Sequence, residues 1–159
     1  MDNSEIREQH DAQQLAEACR EAMYRDDYTA QAMGISIERV GPGYALGRME
    51  VRKDMVNSHR ICHGGMTFAL ADTLFAYACN AYNRATVASG CSIEYLAPAF
   101  LGDILTAEAV ERSLSGRTGV YDITVSRQNG EVVALFRGKS YRIRGEVIGA
   151  ATAPETMAD

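Results

Sequence analysis

A single carboxylate stands where a carboxylate is costly. Between His63 and Asn83 the chain reads Gly-Gly-Met-Thr-Phe-Ala-Leu-Ala-Asp-Thr-Leu-Phe-Ala-Tyr-Ala-Cys-Asn-Ala-Tyr, and Asp72 is the only charged residue in it. Phe68, Ala69, Leu70, Ala71, Leu74, Phe75, Tyr77 and Ala78 go all the way round a helical wheel, the signature of a buried helix. An acid on such a helix must be paired, hydrogen-bonded or kept for chemistry. Eight residues earlier, His63-Gly64-Gly65 opens the same segment, and a glycine-led helix start presents free backbone N–H groups. Donors at one end and a lone acid further along are the parts of an acyl-transfer site.

The 159 residues suit one domain with a substantial core. A net charge of -5 gives no electrostatic reason to bind nucleic acid or an anionic membrane. Cys19, Cys62, Cys79 and Cys91 show no C-x-x-C spacing, so neither a zinc ribbon nor a thioredoxin motif is expected. Scattered thiols and an N-terminus without an apolar run point to a cytoplasmic protein. The stretch 61–82 is long enough to cross a bilayer, but its central Asp72, its Gly-Gly pair and the absence of flanking charge clusters argue against insertion.

Residues 11–25 carry Leu15, Ala18, Cys19, Ala22 and Met23 on one stripe, which predicts an amphipathic helix after a flexible N-terminus over 1–10. Residues 35–40 and 44–51 read as strands about the Gly41-Pro42-Gly43 turn, and 53–60 as a polar loop. The buried helix follows over about 65–82. Four strands are expected over 86–97, 103–113, 117–127 and 131–143, the last two joined by Asn129-Gly130, the strongest hairpin signal in the chain. The first of the four alternates Val87, Ser89, Cys91, Ile93 and Tyr95 against its other side. The expected domain spans 11–144, and the Ala/Thr-rich segment 145–159 is expected to be disordered. Consecutive strands with tight turns imply an α+β fold, an antiparallel sheet wrapped around one long buried helix.

That element order, with Asn57-x5-His63-Gly64-Gly65 and Asp72 on the helix, resembles the hotdog-fold acyl-CoA thioesterases, and among them those of phenylacetic acid degradation. The segments 62–65, 70–80, 118–123 and 134–140 carry the closer resemblance. It implies a homodimer with active sites at the interface, often doubled to a homotetramer, an acyl-CoA substrate and no cofactor or metal. It implies that Asp72 is nucleophile or general base, that the Gly64 amide polarises the thioester carbonyl, and that Asn57 and His63 help to position it. Some relatives add a hydroxyl that orients water, for which Thr73 and Ser89 are the candidates here. Gly65 adjoins the carbonyl donor, and Phe75 stands with Phe68, Tyr77 and Tyr82 as a candidate for an aromatic acyl wall. Arg117 and Lys139, with Arg137 and Arg142, are candidates for the phosphates of coenzyme A.

Spacing adds a constraint of its own. Eight helical residues at ~1.5 Å rise put Gly64 and Asp72 roughly 12 Å apart, too far to serve one thioester. The simplest resolution takes the glycine from one subunit and the aspartate from its partner. Plainer roles compete: Asp72 as the cap of a second helical segment, His63 as a loop-ordering residue, Asn57 as a turn residue, and Phe75 as core. A Cys62–His63 pair would be a nucleophile between adjacent residues, and His59, Cys62 and His63 lack metal-ligand spacing. The rival classes are a dehydratase or hydratase of acyl thioesters and a non-catalytic acyl-CoA-binding module.

Overall fold

The computed structural model describes residues 3–149. Helix α1 (Asn3–Asp26) and a short α2 (Tyr28–Met33) precede strands β1 (Ser36–Gly41) and β2 (Tyr44–Glu50). Helix α3 (Gly64–Asn80) leads into β3 (Thr86–Tyr95), β4 (Ile104–Ser115), β5 (Thr118–Ser126) and β6 (Val132–Arg142). The six strands form one antiparallel sheet in the order β1-β2-β4-β5-β6-β3, so β1 and β3 are its edges.

The sheet curls around α3 because small residues let it. Ala107 and Ala109 on β4 are fully buried, and Gly47 and Gly138 face the helix. A Cβ on Gly138 would stand 2.8 Å from the Phe75 ring, and one on Gly47 would meet Leu74 at 3.1 Å. Phe75 in turn packs its ring against Tyr121 and Phe136. Leu70, Leu74, Leu105, Ile123 and Val125 complete a core closed to solvent.

The composition of α3 predicts burial on every side, and the structure departs from that. Gly65 is exposed, and Phe68, Ala69, Asp72, Thr73 and Ala76 are half-buried. Those positions recur at three and four residues and form one stripe that this chain leaves open. No helix among the described residues is long and apolar enough to cross a membrane.

Two expectations change, and one element is new. Residues 3–10, expected as a flexible lead, continue α1 toward the N-terminus; residues 4–10 are exposed and lack an apolar stripe, so no packing signal marks them. Residues 28–33 form α2, which Asp27 starts by accepting the Ala30 N–H and Gly34 ends in a left-handed conformation. The segment 145–149 is tied to the α3–β3 turn: the Ala85 N–H donates to the Gly145 carbonyl, and the Ile148 N–H to Asn83 Oδ1. The rest of the expected tail lies outside the described residues.

Candidate active site

The N-terminus of α3 is held from both sides so that one amide stays free. His63 is the N-cap in extended backbone, and its Nδ1 accepts the Gly65 N–H at 3.1 Å. The His63 carbonyl accepts the Met66 N–H at 2.8 Å. The Tyr95 hydroxyl donates to the Gly64 carbonyl at 2.9 Å, with its ring against the Gly64 Cα. The first N–H of the helix, that of Gly64, has no intrahelical acceptor. Gly64 lines a cleft of about 500 Å³, together with Asn57, Ile61, Tyr95, Leu96 and Val133.

Asn57 shapes the loop that forms one wall of this cleft. Its Oδ1 accepts the N–H groups of His59 and Ile61, and its own N–H donates to the Ile61 carbonyl. This tight turn places Arg60 at φ 62. The oxygen of the Asn57 amide is thus committed to the loop, while its NH₂ makes no hydrogen bond among the described residues and remains a donor for the cleft. His63 stays exposed, and its Nδ1 serves the cap. Cys62 is buried with its sulfur 3.7 Å from Thr67 Oγ1, and burial pushes its thiol pKa up. No Cys–His nucleophile forms.

Asp72 lies on the open stripe of α3. The helix runs through it without a break, and Thr73 Oγ1 donates back to the Ala69 carbonyl at 2.7 Å, so Asp72 caps nothing. It has no hydrogen bond or ion pair among the described residues. Burial alone acts on its carboxyl and raises its pKa above the usual 3.8. Two thiols lie within its field: Cys91 on β3 is pushed up by burial and then by Asp72, and Cys79, chiefly by burial, to about 12. Gly64 and Asp72 therefore sit on one continuous helix, roughly 12 Å apart by its rise. The structure brings Gly64, Gly65, His63 and Asn57 together and leaves Asp72 at a second locus.

The remaining candidates divide by the face they occupy. Phe75 is a core residue, 1% exposed, with its ring against Tyr121 and Phe136. Thr73 has its hydroxyl proton engaged within the helix. Ser89 sits at an irregularity in the β3–β6 register between Ala88 and Gly90, with its Oγ donating to the Lys139 carbonyl. That bulge interrupts the alternation, and Cys91 lies within the field of Asp72. Gly138 and Phe136 on β6 face α3, so the alternate residues Arg137 and Lys139 point to the opposite face of the sheet. Arg137 is already engaged by Asp122 at 2.7 Å. Arg117 lies with Arg84 and Arg142 at the far end of α3. Sequence reasoning missed Tyr95 as the partner of Gly64; the strand alternation that places it with Cys91 and Ile93 was the available signal.

The model of the thioesterase superfamily matches residues 59–134, which include the α3 start and Asp72. The chain is 52% identical over 130 residues to the acyl-coenzyme A thioesterase PaaI of Escherichia coli K12, covering 82% of this chain and 93% of that one. This chain belongs to the thioesterase superfamily. Its fold is the hotdog fold of that superfamily. The solved structure of E. coli PaaI, from the phenylacetic acid degradation operon, matches with a TM-score of 0.83 at 49% identity, over 84% of this chain and 97% of that one. A mutant of the phenylacetic acid degradation protein PaaI from Thermus thermophilus matches at 0.71 and 38%, over 74% and 100%. The smu.793 protein of Streptococcus mutans UA159, solved bound to acetyl CoA, matches at 0.67 and 25%, over 70% and 90%.

Proposed function

We propose that this thioesterase hydrolyses acyl-CoA, specifically phenylacetyl-CoA or its ring-hydroxylated relatives, to the free acid and CoA in phenylacetate catabolism. The observation that carries the reading is the pairing on α3 of a free helix-terminal amide opening into a cleft with an unpartnered, half-buried acid eight residues on. Thioester hydrolysis needs both. The Gly64 N–H, at the positive end of the helix dipole, stabilises the oxyanion as the carbonyl carbon becomes tetrahedral. The free NH₂ of Asn57, in the same cleft, is placed to orient the carbonyl. Asp72 either takes a proton from the water that attacks that carbon, or attacks it itself to form a mixed anhydride that water then hydrolyses; in both routes the C–S bond breaks and the CoA thiolate leaves. CoA belongs to the substrate, and the reaction as drawn needs no further cofactor.

Because the two groups stand about 12 Å apart on one helix, each site draws Gly64 from one subunit and Asp72 from its partner. A homodimer, doubled to a tetramer, is the assembly we infer. Supporting it are the open stripe of α3 around Asp72 and the ten-residue β3, a free sheet edge beside it. Exposed strand edges are pairing templates. The free state of all four cysteines supports a cytoplasmic setting.

The test follows free CoA thiol with a colorimetric reagent on phenylacetyl-CoA, benzoyl-CoA and a straight-chain acyl-CoA. The wild type releases thiol fastest from the aryl esters. Asp72→Asn lowers kcat at least ~10²-fold, the scale of losing an essential catalytic group. Retention of the intact ester by the wild type would establish a binding module instead, and an undiminished mutant would remove Asp72 from the mechanism.

A further inference from the structure

Helix α3 opens on Gly64 and Gly65, two residues that fix no backbone direction by themselves, since glycine is conformationally free and a poor helix former. An oxyanion donor must nonetheless stand about 2.7–3.1 Å from one defined oxygen. The two peptide planes of this start are pinned at every polar end but one. The His63 carbonyl accepts the Met66 N–H, the Gly65 N–H donates to His63 Nδ1, and the Gly64 carbonyl accepts the Tyr95 hydroxyl at 2.9 Å. The end left over is the Gly64 N–H. The first two bonds lie within residues 63–66 and move with the turn. Of the three, only the Tyr95 bond reaches in from a strand.

The phenol also occupies the space of the side chain that Gly64 lacks. A Cβ there would stand 3.1 Å from both the Cζ and the hydroxyl of Tyr95. The strand makes this contact a fixed one. Tyr95 ends β3 and pairs with Ala134 of β6, and Cys91, on the same face of β3, lies within the field of Asp72. The four strand residues from Cys91 to Tyr95 span about 13 Å, and the helix from Gly64 to Asp72 about 12 Å. So β3 runs alongside α3 and meets it at both site residues. It is also the free sheet edge at which the partner joins in the assembly we infer. We infer that Tyr95 is a positioning residue for thioester hydrolysis: its hydroxyl, without touching substrate, aims the Gly64 N–H at the oxyanion. This assignment rests on the acyl-CoA reading.

Tyr95→Phe in the full chain keeps the ring and removes the bond. The amide meets full charge only as the carbonyl carbon becomes tetrahedral, so a misaimed donor costs turnover rather than binding. Losing such a donor outright costs ~10²–10³ in rate, and misaiming it is expected to cost about tenfold in kcat on phenylacetyl-CoA. KM is expected to stay within about twofold of wild type. A second measurement reads the carbonyl itself. Phenylacetyl-CoA labelled with carbon-13 at that carbon is bound to Asp72→Asn, which holds the ester uncleaved, and its infrared difference spectrum is recorded. The carbonyl stretch is expected to fall on binding, and most of that fall to vanish in Asp72→Asn/Tyr95→Phe. A tyrosine that only supports the fold would lower the melting temperature and move neither readout. An unchanged kcat in Tyr95→Phe, or equal stretches in the two proteins, overturns the assignment. If the wild type binds the ester without cleaving it, hydrolysis falls and the stretch alone decides the role of Tyr95. If it neither cleaves nor binds the ester, both readings fall.

Discussion

Asp72 shows how one residue costs the fold stability at the position where the proposed reaction needs a carboxylate. Its carboxyl is raised by burial and relieved by no partner among the described residues. A folded pKa above the unfolded value of about 3.8 means that the folded chain prefers the protonated form. Its effect on stability is therefore most favourable at pH below 3.8 and turns against the fold as pH rises through the folded pKa. Asp72→Asn keeps the shape and removes the charge. Its melting temperature is expected above that of the wild type at pH 7, with the gap closing toward pH 3.8, while thiol release is lost. Paired melts at the two pH values check this; a lower melting temperature at pH 7 would mean that the carboxylate has a stabilising partner in the assembly. The acid limb of the wild-type pH–rate profile is expected above the ordinary carboxylate range, since only the ionised form is a base.

At the scale of the element, α3 sets both the core and the site, and its two ends fail differently. Gly138→Ala drives a Cβ to 2.8 Å from the Phe75 ring and is expected to destabilise by ~1–3 kcal/mol, read by denaturant midpoint and eased by Phe75→Leu. His63→Ala removes the side-chain cap from the Gly65 N–H, costs ~0.5–2 kcal/mol, and leaves a second free donor beside Gly64. The sequence made α3 and all six strands legible because their apolar periods and turn residues are strong. It did not show α2, a six-residue helix whose only signals are Asp27 and Gly34. Gly64 was readable as a glycine-led helix start, whereas Asn57 stood out only through the family resemblance, and both line one cleft. Simple alternation assigns Val87 to the face of Cys91, but the register pairs Val87 with Tyr141 beyond a bulge that a period-two pattern cannot show. Phe75 was ambiguous because an aromatic residue on a buried helix carries the same pattern as core or as pocket wall.

At the scale of the molecule, the decisive fact is that α3 is one unbroken helix, so no folding of a single chain can bring Gly64 to Asp72. Shared sites make a prediction that no single-chain site can imitate. Gly64→Pro deletes the amide without breaking the helix: proline suits the first helical position, and His63, at φ -59 and ψ 131, already has the extended backbone that a following proline requires. Homodimers of Gly64→Pro and of Asp72→Asn are both expected to be inactive. In a mixed dimer, one site joins Gly64 of the Asp72→Asn chain to Asp72 of the Gly64→Pro chain and is intact, while the other carries both lesions. Random reassociation makes half of all dimers mixed, each with one working site of two. Refolding the variants together should then restore about a quarter of wild-type activity, as the symmetry of a twofold interface dictates. Sites built within one chain would recover nothing, however the subunits were exchanged.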